Sequence, residues 1–163
     1  MRQTLRKFQS RQMFRLILVF TISIVFNSNL FGQIQNDSLQ IKETVKNYLE
    51  GLEYNDASRV EKAMHPDLAK RNLNKDGNGN DKLQNMTASS LVGYAKTFDY
   101  TKLYKKGVNP KELLKVETII FDMENDIATV KAVQNKFAFF DYIHLGKMNG
   151  EWKIINILWA WTD

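Results

Sequence analysis

Residues 139–161 read FFDYIHLGKMNGEWKIINILWAW, and this stretch decides the fold. The dipeptide Asn149-Gly150 separates two runs that are rich in β-branched and aromatic residues. Asn-Gly is the strongest short signal for a β-hairpin with a two-residue turn. The sequence therefore predicts that a strand within residues 127–147 is joined by a tight turn to a strand over residues 151–161.

Both faces of the last predicted strand carry apolar side chains. One row holds Trp152, Ile154, Asn156 and Leu158, and the other holds Ile155, Ile157, Trp159 and Trp161. A sheet covered by helices on one side only would alternate apolar and polar rows. The second apolar row indicates that something covers the other face, and we expect a homodimer formed through the sheet.

Further strands are predicted upstream of the hairpin. Residues 115–123 are rich in Val, Ile, Thr and Phe, residues 124–126 form a turn, and residues 127–147 are a long β-favouring stretch. Another short strand is predicted around Tyr100 to Tyr104.

The first predicted helix covers residues 38–52. Its apolar residues recur at helical spacing, and Asp37 or Ser38 is its expected cap. A second helix begins at the cap signal Asn55-Asp56 and stops at His65, because Pro66 disfavours helical geometry in the residue before it.

A cluster of turn residues, 74–81, precedes a third predicted helix that Thr87 caps. Helices followed by antiparallel strands predict an α+β fold in which three N-terminal helices pack on one face of an antiparallel sheet.

The N-terminus is predicted to be a secretory signal peptide. Residues 1–15 carry five basic side chains and no acidic one, and apolar residues dominate 16–26. This run is shorter than the ~20 residues that span a bilayer. We expect cleavage after Gly32 or Gln33, which gives a signal peptide over 1–33, a short tail over 34–37 and one domain over 38–163. The protein would then be exported, periplasmic or secreted, without stable membrane insertion after cleavage.

Charge and composition exclude several functional classes. The net charge of +5 comes from the leader, because the rest of the chain carries 18 basic and 18 acidic side chains. It lacks the basic stripe of a nucleic-acid-binding protein. There is no cysteine, and the two histidines cannot form a three-histidine zinc site. We therefore expect no metal and no cofactor.

The candidate catalytic residues are Asp141 and His144. Strand alternation puts Asp141 and Ile143 on one face and Tyr142 and His144 on the other. A carboxylate among large apolar groups is costly to bury unless it is paired or protonated. Asp141 is therefore expected either at a strand edge facing water or in a polar pocket.

The register of the final hairpin decides which side chains meet. A two-residue loop pairs His144 with Ile155, whereas a three-residue loop with a bulge pairs His144 with Ile154 and puts Tyr142 opposite Asn156. The second register would place Tyr142, His144, Trp152 and Asn156 on one wall.

Five segments carry a resemblance to a known family. They are YLEG at 48–51, MHPDLAKR at 64–71, MTA at 86–88, DYIHL at 141–145 and NGEWKIIN at 149–156. In this order, over about residues 38–160, they resemble the putative lumazine-binding family of nuclear transport factor 2-like proteins. The resemblance implies a cone-like fold in which a strongly curved antiparallel sheet wraps a long helix and leaves a pocket, often with a dimer through the outer face. Relatives in the wider superfamily include ketosteroid isomerase and dehydratase-like enzymes.

Three functions remain open, and with them the question of whether the chain is an enzyme. The first is a pocket protein for a small planar organic molecule of unknown identity. Its expected ligand-binding residues are Tyr48, His65, Tyr142, His144, Trp152 and Asn156, although His65 is also a candidate helix cap. The second is an acid/base isomerase or dehydratase in which His144 or Asp141 abstracts a proton and a Tyr hydroxyl stabilises the oxyanion. The third is a ligand-free dimerisation module.

Overall fold

The computed structural model describes residues 33–162. The chain divides into two compact units, Met1–Leu39 and Gln40–Asp163. In the first unit the described residues 33–39 are helical, and the Ser38 hydroxyl donates a hydrogen bond of 2.9 Å to the Ile34 carbonyl. The predicted signal peptide lies outside the described residues apart from Gln33, so cleavage and export stay predictions.

Three α-helices are present in the described residues. Helix α1 covers residues 33–53, α2 is Ala57–Ala63 and α3 is Ala88–Thr97. The predicted caps of α2 and α3 are confirmed, because the side chains of Asp56 and Thr87 accept hydrogen bonds from Arg59 N–H and Ser90 N–H.

Two predicted helix ends are wrong. Asp37 and Ser38 lie inside α1, so neither caps it, and residues 34–37 are helical rather than a loose tail. Helix α2 ends at Ala63 instead of His65, because the backbone is already extended at Met64, where a strand begins.

A β-hairpin that the sequence analysis missed lies between α2 and α3. Strand β1 is Met64–Lys75 and β2 is Asp81–Thr87, paired antiparallel from Ala69↔Thr87 to Lys75↔Asp81. The predicted turn cluster joins these strands, and the Asp76 carboxylate accepts backbone N–H groups of Asn78 and Asn80 at 2.8 and 2.9 Å. Because this hairpin precedes α3, the three helices do not all precede the strands.

The remaining strands form the C-terminal half. They are β3 Val116–Glu124, β4 Ile127–Gln134, β5 Phe139–Met148 and β6 Glu151–Trp161. The sheet order is β2-β1-β6-β5-β4-β3, and β1 pairs with β6 in parallel. The α+β class is confirmed, with a mixed sheet in place of a wholly antiparallel one. The predicted strand near residue 100 is wrong, because Tyr100–Leu103 is a turn of 3-10 helix.

The final hairpin follows neither predicted register. Asn149 and Gly150 have φ of 52° and 82°, so the turn has two residues and pairs Met148 with Glu151. A bulge then shifts the pairing, so that Leu145 lies opposite Ile154 while His144 lies opposite Asn156. Asp141 and Ile143 face inward and are buried, whereas Tyr142 and His144 are exposed.

One hydrophobic core joins α1 to the inner face of the sheet. Its buried members include Ile41, Val45 and Leu49 from α1, and Ile143, Leu145, Ile154 and Ile157 from β5 and β6. The helical spacing of the α1 residues therefore reports their burial correctly. None of the helices within residues 33–162 is both long and apolar enough to cross a membrane.

Candidate functional site

A cavity of about 250 Å³ opens between α1, α3 and the inner face of the sheet. Most of its wall is made of rings and aliphatic side chains: Tyr48, Tyr94, Phe98, Tyr100, Phe139, Trp159, Leu52, Met86, Leu91 and Leu103. Lys70 and Gln84 supply the polar atoms beside the tyrosine hydroxyls. An apolar concavity with few polar groups is typical of a small-molecule site.

The polar end of the cavity is a hydrogen-bonded cluster of three side chains from three elements. Lys70 Nζ on β1 donates to Tyr48 Oη on α1 at 2.7 Å and to Asp141 Oδ1 on β5 at 2.8 Å. Tyr48 Oη donates a longer bond of 3.5 Å to the same carboxylate oxygen. The side chains of Lys70 and Asp141 are only 7% and 1% exposed. Asp141 thus lies one hydrogen bond behind the cavity wall, while Lys70 and Tyr48 line it.

Three aromatic rings surround the Lys70 amino group. Its Nζ lies 5.4 Å from the ring centre of Tyr48, 5.6 Å from that of Phe139 and 5.1 Å from that of Trp159. These distances are within the range of cation–π attraction. The rings cover most of the amine, and its side chain is only 7% exposed.

Burial sets the ionisation of the cluster. Loss of hydration lowers the pKa of Lys70 and raises the pKa of Asp141, even though each group favours the charged form of the other. Burial also raises the pKa of Tyr48 well above its usual value. Asp141 Oδ2 is buried with no hydrogen-bond partner among the described residues, which adds to the cost of a full negative charge there.

The aromatic wall is held in place by ring contacts and by one buried amide. Phe98 meets Tyr100 edge to face at 5.1 Å, and Phe137 stacks on Phe139 at 5.2 Å. Gln134 Nε2 donates to the carbonyls of Phe137 and Phe139 at 3.0 and 2.7 Å. The turn between β4 and β5 is therefore fixed, and it positions the Phe139 ring in the cavity wall.

A second buried ion pair supports the cavity from outside. Lys136 donates to Glu53 at the end of α1 and to the Pro110 carbonyl at 2.9 Å, and the Tyr104 hydroxyl donates to Glu53 Oε1 at 2.7 Å. Burial tends to lower the pKa of Lys136, but its hydrogen bonds with Glu53 and Tyr104 outweigh that effect and raise it. These bonds tie the segment after Leu103 to the end of α1.

The structure brings together only part of the predicted site. Tyr48 lines the cavity and Asp141 contacts it through Lys70. Tyr142 and His144 lie on the opposite, exposed face of β5, and half-buried Asn156 pairs with His144.

The predicted wall of Tyr142, His144, Trp152 and Asn156 is therefore wrong. Trp152 is buried in the core beside α1, where its carbonyl accepts a hydrogen bond of 3.2 Å from the Thr44 hydroxyl. His65 lies away from the cavity, and its Nδ1 accepts the Asp67 N–H at 3.1 Å. The predicted helix cap at His65 is wrong too, because α2 has ended by then.

Sequence reasoning missed Lys70, the central polar group of the cavity. In β1 the inward positions are Leu68, Lys70 and Asn72, all buried. Two of these three residues are polar, so the strand has no apolar alternation to reveal it. The signal available was indirect. Asp141 lies among large apolar residues, and a buried carboxylate needs a polar partner, which in this structure is Lys70 of β1.

Comparison with known proteins supplies a family and a fold. The profile of a family described as putative lumazine-binding matches residues 36–160. No curated protein matches the chain.

Solved structures with this fold include two nuclear transport factor 2-like proteins of unknown function. The one from Shewanella baltica has 17% identity and a TM-score of 0.58, with 77% of this chain and 93% of that chain covered. The one from Silicibacter pomeroyi has 10% identity and a TM-score of 0.59, with 78% and 98% covered. A ketosteroid isomerase-like protein from Erwinia carotovora has 14% identity and a TM-score of 0.50, with 76% and 94% covered. At these identities the likeness establishes the fold alone.

Proposed function

The chain belongs to the putative lumazine-binding family, and from that premise we propose that its cavity binds a small planar ring compound. The observation that carries this proposal is the combination of an aromatic wall with one polar end, where Lys70 and Tyr48 present their polar atoms. Rings offer flat apolar contact, and the polar end would fix the orientation of the ligand.

The size of the cavity suits a ligand of one or two rings. A cavity of about 150 Å³ with apolar walls is large enough for benzene. The present cavity, at about 250 Å³, has room for a second fused ring or for polar substituents. Lumazine, a two-ring compound with two carbonyl groups, is therefore a suitable probe. Its carbonyl oxygens could accept a hydrogen bond from the side-chain amide of Gln84, which lines the cavity together with Lys70.

Binding of lumazine is the test of this proposal. We expect lumazine fluorescence to change saturably with protein concentration. Tyr94→Ala should weaken binding about 3- to 10-fold, the worth of one aromatic contact. Tyr94 lines the cavity and is 49% exposed, so the protein should still fold without its ring.

Tyr54→Ala is the matched control. Tyr54 is a tyrosine of similar exposure, 51%, outside the cavity wall, and its replacement should leave binding unchanged. Equal weakening by both substitutions, or no saturable signal from the unaltered protein, would contradict the proposal.

The acid/base alternative is less well supported by the geometry. Of its two candidate bases, His144 lies on the exposed face of β5, and Asp141 is covered by Lys70 and Tyr48 rather than open to the cavity. A general base must come within hydrogen-bond reach of the proton that it removes. Lys70 and Tyr48 line the cavity and Asp141 does not, which favours binding over proton abstraction by this carboxylate.

A further inference from the structure

The Lys70 amine combines two properties that lysines rarely share. It is nearly buried among three rings, and it still lines a cavity large enough for a small molecule. A surface lysine is charged near neutral pH and therefore has no lone pair for bond formation. A desolvated lysine in an apolar pocket is the usual nucleophile for carbonyl compounds.

We propose that Lys70 forms a reversible imine with the carbonyl group of a planar aldehyde or ketone held in the cavity. This inference rests on the proposed function, because the ring of the carbonyl compound would occupy the same aromatic wall. It adds a covalent step that ring binding alone does not require.

The cluster around Lys70 supplies the proton partners for that step. Asp141 Oδ1 and Tyr48 Oη lie 2.8 and 2.7 Å from Nζ, so a proton has a short path in either direction. Burial lowers the pKa of Lys70 and raises that of Asp141, and both shifts move the shared proton from nitrogen towards the carboxylate.

The reaction balances without an oxidant or reductant. The Nζ lone pair forms a bond to the carbonyl carbon, and the π electrons of the C=O bond move to oxygen. That oxygen takes the hydroxyl proton of Tyr48, which lines the cavity, and Tyr48 Oη takes the proton held by Asp141 in return. Nitrogen returns a proton to the carboxylate, and a carbinolamine results. The nitrogen lone pair then expels the hydroxyl group, which leaves as water with that proton, relayed from Asp141 through Tyr48 Oη. Loss of the last N–H proton to Asp141 gives the neutral imine.

The chain contains its own controls for the reactivity of Lys70. Lys136 is equally buried, but its amino group bonds to Glu53 and the Pro110 carbonyl and does not line the cavity. Lys115 is 74% exposed and represents surface lysines. Neither should share the reactivity of an amine that is both desolvated and open to the cavity.

Reductive trapping tests the proposal on the intact folded protein. The protein is incubated at near-neutral pH with benzaldehyde and sodium cyanoborohydride, which convert an imine into a stable benzyl amine, and the modified lysines are mapped by peptide mass spectrometry. We expect Lys70 to be labelled at least about ten-fold faster than Lys115 or Lys136, because a larger fraction of its amine is neutral.

Benzyl alcohol, a ring compound without a carbonyl group, should slow labelling at Lys70 only. Labelling of Lys70 no faster than that of Lys115 would overturn the proposal.

Two further measurements separate this inference from the proposed function. Lys70→Arg keeps a nitrogen hydrogen-bond donor at the cavity but removes the nucleophile, so the label at this position should be lost while the rates at Lys115 and Lys136 stay the same. Saturable lumazine binding without enhanced labelling of Lys70 would refute the imine and leave ring binding intact. Absence of both would refute both.

Discussion

The cost of burying Lys70 and Asp141 is the main energetic feature at the scale of single residues. Transfer of two charged groups from water to a protein interior costs several kcal/mol per ion, and the attraction between them often fails to offset it. Here Asp141 Oδ2 has no hydrogen-bond partner among the described residues, so the cost of removing the carboxylate from water is only partly offset. Such a pair is poor support for stability and is better explained by a role in the cavity.

The raised pKa of Asp141 predicts a pH dependence of stability. Because burial raises this pKa, the folded chain holds the carboxyl proton more tightly than the unfolded chain does. Its contribution to the free energy of unfolding is therefore complete below about pH 4, the unfolded value, and is lost as pH rises through the folded value. Asp141→Asn removes this loss, so the stability of the variant relative to the unaltered protein should rise between pH 4 and 8.

Urea unfolding of both proteins across that pH range measures the effect. The substitution also leaves Lys70 without the carboxylate that favours its charged form, and this lowers the lysine pKa further. A lowered lysine pKa means that stability falls as pH falls, so both groups move the difference in the same direction. If the stability of the variant relative to the unaltered protein stayed constant or fell as pH rises, the raised pKa of Asp141 would be contradicted.

At the scale of elements, Gly51 lies where α1 closely approaches the start of α2. A Cβ atom at this position would lie 2.6 Å from Val60 Cγ2 and 3.0 Å from both the Asp56 carbonyl oxygen and Val60 N. Two of these atoms belong to the backbone at the start of α2, so they cannot move without shifting the helix. The absence of a side chain at residue 51 thus sets how the two helices meet.

Gly51→Ala is predicted to destabilise the protein. The gain in helix propensity, about 1 kcal/mol, should be outweighed by overpacking that costs about 1–3 kcal/mol. Gly93→Ala is the matched control, because Gly93 also lies in a helix and has nothing within 4 Å of its ideal Cβ position. Thermal unfolding should give a lower Tm for the first variant and an equal or higher Tm for the second. The reverse order would show that α1 and α2 are not in close contact.

The elements that could be predicted from sequence are those with local signals. Asp56 and Thr87 cap their helices through their own side chains, and Asn149-Gly150 forms its turn because both residues tolerate positive φ. The hairpin of β1 and β2 could not be predicted this way, because most of β2 is exposed and the inward row of β1 contains Lys70.

The candidate site was harder to predict, because it depends on contacts between distant parts of the chain. The bulge in β6 shifts the pairing by one residue within the run Ile154-Ile155-Asn156, which carries no marker of its own. Likewise, the partner of Asp141 lies 71 residues away in a strand that parallel pairing brings beside β6. Sequence patterns give residue types and faces, but they do not give such partners.

At the scale of the whole sheet, the two faces differ in what covers them. The inner face carries the core and the cavity, whereas apolar side chains of four strands are exposed or half-buried on the other: Leu73, Phe121, Phe140, Tyr142 and Leu158. The rings of Phe121 and Tyr142 lie 6.0 Å apart, and Phe140 meets Tyr142 edge to face at 5.5 Å. Arg71 lies opposite Leu158, and the Lys131 amine lies 4.8 Å from the ring centre of Phe140, so basic groups lie among these apolar side chains. An exposed patch of apolar side chains indicates an interaction surface.

We propose that a second copy of the chain covers this surface, and light scattering at micromolar concentration should then give twice the monomer mass. Leu158→Lys should reduce the mass to that of the monomer, because the new charge is costly to desolvate in an interface and lies opposite Arg71, which has the same sign. Leu113→Lys changes an even more exposed leucine that lies in the loop before β3, and it should leave the dimer intact. In a two-fold symmetric dimer each substitution occurs once in each copy. Leu158→Lys should therefore weaken the dimer twice over, even if each single contact contributes little to its stability. A monomer in the unaltered protein would leave the apolar face unexplained by self-association, whereas a dimer that survives Leu158→Lys would place the interface elsewhere.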